Sequence, residues 1–260
     1  MGVSQFALDD QGKPLQGDAL LDFVRELGGD TVFLQFSTGK DSICSWLRLR
    51  EYGKFTIIPY FMYWFPGLSW QEKALDYYEN WFGQRILRLP HPLFNDHLRE
   101  FFYQTPERIS TIYSWDLPSW DFSDLENELA VDYQIADRNP YTAVGFRGAD
   151  NIDRRNLIIQ KGAVGSGRRR YFFPVWEYDI SDVTRIIRET GIKLPADYAY
   201  WGRTIGAWDY QFIKPISEHF PDDFENVMKF WMPLIDLEIY RHDVVGQYAA
   251  HKLEGVENGG

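Results

Sequence analysis

The chain has 260 residues, 45% of them hydrophobic and 17% aromatic, which is enough apolar side chain for a sizeable core. Its 27 basic and 38 acidic residues give a formal net charge of -11, which excludes a general nucleic-acid or acidic-membrane surface. The single cysteine, Cys44, excludes an intrachain disulfide framework and a multi-cysteine zinc or iron–sulfur site.

Helices and strands alternate along the first part of the chain. Apolar residues at helical spacing predict helices at 18–27, 41–52, 69–82, 95–104 and 125–137. Gly53 and Gly83 are expected to end the second and third of these helices. Apolar, β-branched and aromatic runs predict strands at 31–36, 55–65, 85–89 and 141–146, although Pro59 weakens the second. This order predicts an α/β fold with a mostly parallel twisted sheet, helices on both faces, and a ligand site at the carboxyl edge of the strands.

Two stretches interrupt the alternation. Residues 105–123 contain turn formers and aromatics and are expected to form an ordered surface loop, with a lid as the alternative. Residues 180–190 predict a helix with Ser181 as N-cap and Gly191 at its end. We therefore expect an α/β domain over 1–180, a C-terminal helical subdomain over 181–250 and a flexible tail over 251–260. The aromatic C-terminal helices could instead form a dimer face.

The segment LQFSTGKDSICSW, residues 34–46, predicts a strand, a small polar loop and a helix. Such a turn collects backbone N–H groups and the positive end of a helix dipole, which together attract phosphate. Ser37, Thr38 and Gly39 are small enough for an oxyanion to approach the backbone, and Lys40 adds a positive charge. The alternative is a capped turn with no ligand.

Asp41 is unexpected beside a phosphate, because a bare carboxylate repels it. Mg²⁺ bridging Asp41 to the phosphates would explain it, and so would an ordinary acidic residue in the first helical turn. A Walker loop is excluded, because Leu34 and Asp41 stand where that motif needs glycine and serine or threonine.

Positive charge is concentrated between residues 147 and 170, where seven basic residues accompany only two acidic ones. Arg147 follows a predicted strand and should reach the same sheet edge as the loop, where it could bind a phosphate or a sulfate-like group. Arg203 could approach from the C-terminal part. Arg168, Arg169 and Arg170 belong either to this anion site or to a solvated turn.

The motif FSTGKDS at 36–42 resembles the pyrophosphate (PP) loop, SGGxDS, of the adenine nucleotide alpha-hydrolase superfamily. Four further stretches are similar, in the same order, to the branch with phosphoadenosine-phosphosulfate reductases and the small subunit of ATP sulfurylase. They are IIPYFMYWFPGLSWQEKALDYYENWFG, VGFRGADNIDRR, FFPVWEYDISDVTRIIRETGIKLP and GRTIGAW. The likeness runs from about residue 25 to residue 210. It implies a Rossmann-like fold of this superfamily.

The resemblance also implies site residues. Ser37, Thr38, Gly39, Lys40, Asp41 and Ser42 would bind the nucleotide's phosphates, with Gly145 and Arg147 in the family's Gly-x-Arg element. Tyr63 and Trp64 would stack on adenine. Thr38 replaces a glycine, and aromatic residues replace the family's Asp-Thr-Gly turn. Ala207 stands where the reductases often have cysteine, so neither a thiol-based reductase nor an iron–sulfur cluster is expected.

Three functions follow as hypotheses. The first is an enzyme that binds ATP and Mg²⁺, transfers the adenylyl group to sulfate or another oxyanion, and releases pyrophosphate, with Lys40, Asp41 and Arg147 as catalytic residues. The second binds phosphoadenosine phosphosulfate and uses an external thiol. The third is a non-catalytic nucleotide-binding protein that works with a partner subunit or as a homodimer.

No apolar run approaches the ~20 residues that span a bilayer, so a cytoplasmic location without membrane binding is expected.

Overall fold

The computed structural model describes residues 7–204 and 210–231. A six-stranded sheet has the spatial order β3-β2-β1-β4-β6-β5. Its strands are β1 (Thr31–Gln35), β2 (Thr56–Tyr63), β3 (Leu87–Pro90), β4 (Tyr141–Val144), β5 (Val164–Ser166) and β6 (Arg170–Phe172). Neighbouring strands are parallel except for β5, which runs antiparallel to β6. The predicted α/β class with a mostly parallel sheet is confirmed.

Eleven helices lie within the described residues. They are α1 (Gly17–Gly28), α2 (Lys40–Tyr52), α3 (Ser69–Phe82), α4 (Pro92–Arg99), α5 (Pro106–Ser114), α6 (Phe122–Asp132), α7 (Ile152–Lys161), α8 (Ile180–Thr190), α9 (Asp197–Trp201), α10 (Tyr210–His219) and α11 (Pro221–Trp231). Gly53, Gly83 and Gly191 end α2, α3 and α8 in left-handed conformations with φ of 70°, 65° and 67°. The predicted glycine stops are confirmed, because that conformation costs a glycine little.

Pro59 lies inside a central strand without losing a ladder hydrogen bond. Thr56 donates its backbone N–H to the β1 side and the carbonyl of Tyr60 accepts from that side. Alternate residues of a strand face opposite neighbours, so the missing N–H of Pro59 faces β3. Pairing with β3 begins only at Tyr60, which explains how β2 accepts the proline.

Helices cover both faces of the sheet, as predicted. On one face Val32, Leu34 and Phe36 pack in a core with residues of α1, α2 and α3. On the other face Phe33 and Tyr60 pack against α6. The carboxyl ends of the parallel strands therefore open between two layers of helix.

About half of the expected surface loop at 105–123 is a helix. Residues 106–114 form α5, whose Ile112 is 5% exposed and packs in a cluster with Ile213 and Trp231. Arg108 also donates to the backbone carbonyl of Phe230, 3.0 Å away. The expectation was wrong because partners more than 100 positions away in the chain bury this helix.

The N-cap of α8 is Asp179 and not the expected Ser181. The carboxylate of Asp179 accepts from the backbone N–H groups of Ser181 and Asp182, and the Asp182 side chain accepts from the N–H of Asp179. This reciprocal capping box places the helix start two residues earlier.

The division of the chain at residue 180 stays a prediction. Val183 of α8 packs with Cys44 of α2, while Trp201, Phe220 and Val227 join the cluster that holds α5. The end of the predicted subdomain and the tail at 251–260 lie outside the described residues. No helix within the described residues is long and apolar enough to cross a membrane.

Candidate functional site

The loop between β1 and α2 lies at the carboxyl edge of the sheet. Thr38 adopts φ of 60°, a left-handed conformation that costs a residue with a Cβ roughly 1–2 kcal/mol relative to glycine. Its hydroxyl donates to the Ser37 carbonyl, 2.6 Å away. Threonine thus keeps the backbone conformation for which glycine is favoured, and the departure from the family motif leaves the turn in place.

The N-terminus of α2 faces this loop. Gly39 is the N-cap and supplies no side-chain acceptor. The Lys40 N–H instead donates to the hydroxyl of Tyr198, 3.0 Å away, and the Ser42 hydroxyl donates to the Gly39 carbonyl. Amides at a helix start favour anions, so a neutral hydroxyl now stands where an oxyanion would be stabilised.

Gly145 permits a close approach between the end of β4 and α2. A Cβ on Gly145 would lie 2.5 Å from the Ser42 nitrogen and 2.6 Å from its Cα, which any side chain would prevent. The resemblance marked this glycine as part of a Gly-x-Arg element. Its packing reason is that it lets the strand end reach the start of the helix.

Arg147 lies beside the loop, as the sequence predicts, and faces two carboxylates. It is 3% exposed; its Nε is 2.7 Å from Oδ1 of Asp41, and its Nη2 is 2.5 Å from Oδ1 of Asp150. Lys40 Nζ lies 3.4 Å from the other oxygen of Asp41. Arg147 Nε and Asp41 Oδ1 are buried and, within the described residues, lack a hydrogen bond of correct geometry despite their contact. A ligand with a better-aligned acceptor or donor would satisfy either atom.

A cavity of about 340 Å³ opens beside this loop. It is lined by Gln35, Phe36, Ser37, Thr38, Phe61, Met62, Trp64, Gln71, His91, Leu93, Asp197 and Thr204. It joins the ends of β1, β2 and β3 to the segment around α9. Polar and aromatic side chains at the carboxyl edge of a parallel sheet are typical of ligand sites in such folds.

Of the loop residues predicted to bind the nucleotide, Ser37 and Thr38 line this cavity. The predicted contacts that lie outside its lining are Gly39, Lys40, Asp41, Ser42, Tyr63, Gly145, Arg147 and Arg203. The ring of Tyr63 packs edge-on against Phe94 with centroids 6.2 Å apart, whereas Trp64 faces the cavity. Arg203 is exposed and lies over the Phe212 ring at 5.2 Å, whereas Thr204 reaches the cavity. In both cases the adjacent residue in the chain lines it.

Trp64 and His91 form a stacked pair at the cavity wall, with centroids 4.7 Å apart and planes inclined by 16°. His91 also caps α4, because its Nδ1 accepts from the Leu93 N–H at 3.1 Å. Burial lowers the pKa of His91 to about 4. The imidazole is therefore neutral near pH 7 and offers an uncharged aromatic surface.

The three consecutive arginines separate in the fold. Arg168 is exposed and pairs with Asp121 and Asp124. Arg169 is partly buried and pairs with Glu126, its Nη2 2.7 Å from Oε1. The solvated-turn interpretation therefore holds for Arg168 but is wrong for Arg169.

Cys44 is buried inside α2, with 1% of its surface exposed. Burial raises the pKa of its thiol to about 12. A thiolate is the reactive form, so at neutral pH this cysteine is a poor nucleophile. Its environment agrees with the expectation that a thiol of this chain does not attack the substrate.

Asp41 would fit a single-carboxylate magnesium site once its contacts with Arg147 and Lys40 are released. Its buried Oδ1 lacks a well-formed hydrogen bond within the described residues, and Mg²⁺ needs only one or two protein carboxylates when phosphates supply other ligands. Residues 7–204 and 210–231 contain no group of three or more histidine, cysteine, aspartate or glutamate side chains that could hold a metal ion.

Sequence reasoning missed several cavity residues. Gln35 had a signal, because it is a polar residue that ends an apolar strand. Gln71 and Asp197, which are 6% and 2% exposed, had none, since only the tertiary fold makes them buried polar groups. Tyr198 likewise meets Lys40 across 158 positions of sequence.

Comparison with known proteins finds distant structural matches only. No protein-family model and no curated protein matches the chain. Among solved structures, an NH3-dependent NAD synthetase from Campylobacter jejuni, in complex with nitrate, is 12% identical, covers 86% of this chain and 92% of its own, and has a TM-score of 0.42. The U34-tRNA thiolase NcsA from Methanococcus maripaludis, with its [4Fe-4S] cluster, is 12% identical, covers 82% and 76%, and has a TM-score of 0.40. Likeness of this degree assigns neither a family nor an activity.

Proposed function

We propose that this protein is a PP-loop enzyme that binds ATP with Mg²⁺, transfers the adenylyl group to an oxyanion acceptor such as sulfate, and releases pyrophosphate. One observation carries the proposal. The turn of Ser37 and left-handed Thr38 lines the cavity at the carboxyl edge of the sheet and leads directly into the N-terminus of α2, where Lys40 and Arg147 both contact Asp41. The FSTGKDS motif, which resembles a pyrophosphate loop, forms this turn.

In this proposal the triphosphate lies on the loop. Ser37, Thr38, Gly39 and Ser42 contribute backbone and hydroxyl groups, and Lys40 neutralises the leaving pyrophosphate. Asp41 would hold Mg²⁺, which supplies charge neutralisation to the phosphates. Arg147 would turn from Asp41 towards the acceptor or the α-phosphate.

Catalysis then depends on alignment and charge. The described residues that line the cavity are polar, apolar and aromatic and include no cysteine. Cys44 lies buried within α2, and this burial raises the pKa of its thiol. An in-line attack by the bound acceptor on the α-phosphorus needs no protein nucleophile. The side chains would hold the reactants and neutralise charge as the α–β bridge breaks.

In the alternative, phosphoadenosine phosphosulfate is the ligand. Because Cys44 is buried, reduction of that ligand would need an external thiol. The Asp41–Arg147 contact favours the third possibility, a non-catalytic binder, since it engages both proposed catalytic side chains with each other.

Calorimetric titration with ATP, a non-hydrolysable α,β analogue and phosphoadenosine phosphosulfate, with and without Mg²⁺, tests the proposal. We expect Mg²⁺-dependent binding of ATP and its analogue, and pyrophosphate release from ATP when an oxyanion is added. Preference for the 3'-phosphorylated ligand would favour the second function. Binding of ATP without turnover across a panel of oxyanions would favour the third, and absence of ATP binding would refute the proposal.

A further inference from the structure

Gln35 ends β1 at the cavity and is connected to a buried polar network beneath it. Its Oε1 accepts from Nη2 of Arg169, 2.7 Å away. The same guanidinium donates to Glu126 through Nε and Nη2, at 3.1 and 2.7 Å. Tyr60, which is fully buried, donates its hydroxyl to Glu126 at 2.6 Å. This chain of contacts runs from the core to the cavity wall.

The network fixes the position of Arg169. Glu126 is only 7% exposed, so separating it from the guanidinium would leave a buried carboxylate without its counter-ion. The guanidinium also lies 4.6 Å from the centroid of the Phe122 ring. Two charged contacts and an aromatic surface therefore hold its Nη2 towards Gln35.

A fixed guanidinium determines which way the amide of Gln35 faces. Arginine has only donors, so the atom of Gln35 next to it must be the carbonyl oxygen. The amide NH₂ then faces away from Arg169, and Nε2 makes no hydrogen bond to another described residue. Because Gln35 lines the cavity, this NH₂ is a donor available to a ligand there.

The charge around Gln35 selects the kind of acceptor. Arg169 is neutralised by Glu126, so the network gives Gln35 no excess positive charge. The attraction for phosphate lies instead at the start of α2, with its helix dipole and the Lys40 ammonium group. A neutral acceptor, either a ring nitrogen of the base or a ribose oxygen, is the partner that matches this donor.

We propose that Gln35 is a specificity-determining residue that donates its amide N–H to a neutral acceptor of the bound nucleotide, and that Arg169 is the positioning residue that holds it in this orientation. The inference rests on the proposed nucleotide binding and adds which ligand feature the site reads. A wrongly oriented glutamine would present its carbonyl and repel the same acceptor.

The test pairs protein variants with ligand variants. Wild type and Gln35→Ala are titrated with ATP, with its 1-, 3- and 7-deaza analogues, and with 2'-deoxy-ATP and 3'-deoxy-ATP. We expect one of these analogues to bind wild type roughly three- to tenfold more weakly than ATP, the usual effect of one hydrogen bond. Gln35→Ala should lose ATP affinity by a similar factor and bind that analogue and ATP equally. A deaza analogue would identify a base nitrogen, and a deoxy analogue a ribose oxygen.

Two further variants complete the design. Arg169→Lys keeps a charge for Glu126 but cannot fork to both partners, so it should reduce the same discrimination. It should also lower the thermal stability, because the forked contact with Glu126 is lost, so its ligand affinities are compared below its melting temperature. Gln160→Ala, on the exposed face of α7, is the matched control and should behave as wild type. Wild-type ATP binding with equal affinities for Gln35→Ala would overturn the inference alone. Lack of ATP binding by wild type would overturn the proposed function and this inference with it.

Discussion

The hydroxyl of Tyr198 accepts a hydrogen bond from the backbone N–H of Lys40, 3.0 Å away. This contact connects α9 to the start of α2 and satisfies one of the amides that a phosphate would use. The segment around α9 also reaches the loop through Thr204, whose methyl lies 3.6 Å from the Cβ position of Gly39. Ligand binding at the loop must therefore displace or include the Tyr198 hydroxyl.

Tyr198→Phe should lower the stability of the ligand-free protein without weakening nucleotide binding. Loss of one hydrogen bond at a helix start should lower the free energy of unfolding by about 1 kcal/mol. The freed N–H should leave the ATP affinity unchanged or higher. Chemical denaturation and calorimetry measure the two effects, with Tyr113→Phe, 77% exposed, as the control. A clear loss of ATP affinity would mean that the hydroxyl binds the nucleotide.

Asp41→Asn should abolish the Mg²⁺ dependence of nucleotide binding and turnover while leaving the fold intact. The amide keeps the shape of the side chain but removes the charge that would hold the cation. Titration of ATP across a range of Mg²⁺ concentrations measures this, and circular dichroism checks the fold. Asp132→Asn, at the exposed end of α6, is the matched control. Unchanged turnover in Asp41→Asn would exclude the metal role.

Arg147→Ala should weaken nucleotide binding by about 1.5–3 kcal/mol, the range for a hydrogen bond to a charged group. It should also destabilise the free protein, because Asp41 and Asp150 would lose their shared cation. Affinity from calorimetry and unfolding in denaturant separate the two effects. Arg188→Ala on the exposed face of α8 should change neither. Destabilisation with unchanged affinity would place Arg147 in a purely structural role.

The protein should lose stability as the pH falls from about 6.5 towards about 4 partly through His91. Burial lowers the pKa of this imidazole to about 4 in the folded state, below the ordinary value of 6.5. Between these values the unfolded chain binds more protons than the folded one, so the free energy of unfolding rises with pH. Burial also lowers the pKa of His97, so its titration changes the stability in the same direction.

His91→Asn keeps a side-chain cap for α4 and removes one titrating group. The variant should therefore show a shallower decline in unfolding free energy between pH 6.5 and 4.5 than wild type. His219→Asn provides the comparison at a histidine of α10. Identical pH profiles for wild type and His91→Asn would contradict the burial of the imidazole.

Local sequence determined the elements that local chemistry controls. Glycine stops end α2, α3 and α8 where the pattern places them, and the strand–loop–helix at 34–46 forms around the expected turn. Alternation of these elements was enough to predict the parallel sheet and the edge at which a ligand site lies. These features follow from backbone conformational preferences and hydrophobic periodicity over a few residues.

Tertiary structure alone decided what each site residue faces. Residues 106–114 form a helix that packs against α10 and α11. Arg147, which the sequence assigned to an anion, contacts Asp41 and Asp150 instead. Arg169, one of three adjacent arginines, enters a buried pair with Glu126 and orients Gln35. These partners lie up to 134 positions apart, so their distances and burial depend on how the layers pack and not on any local pattern.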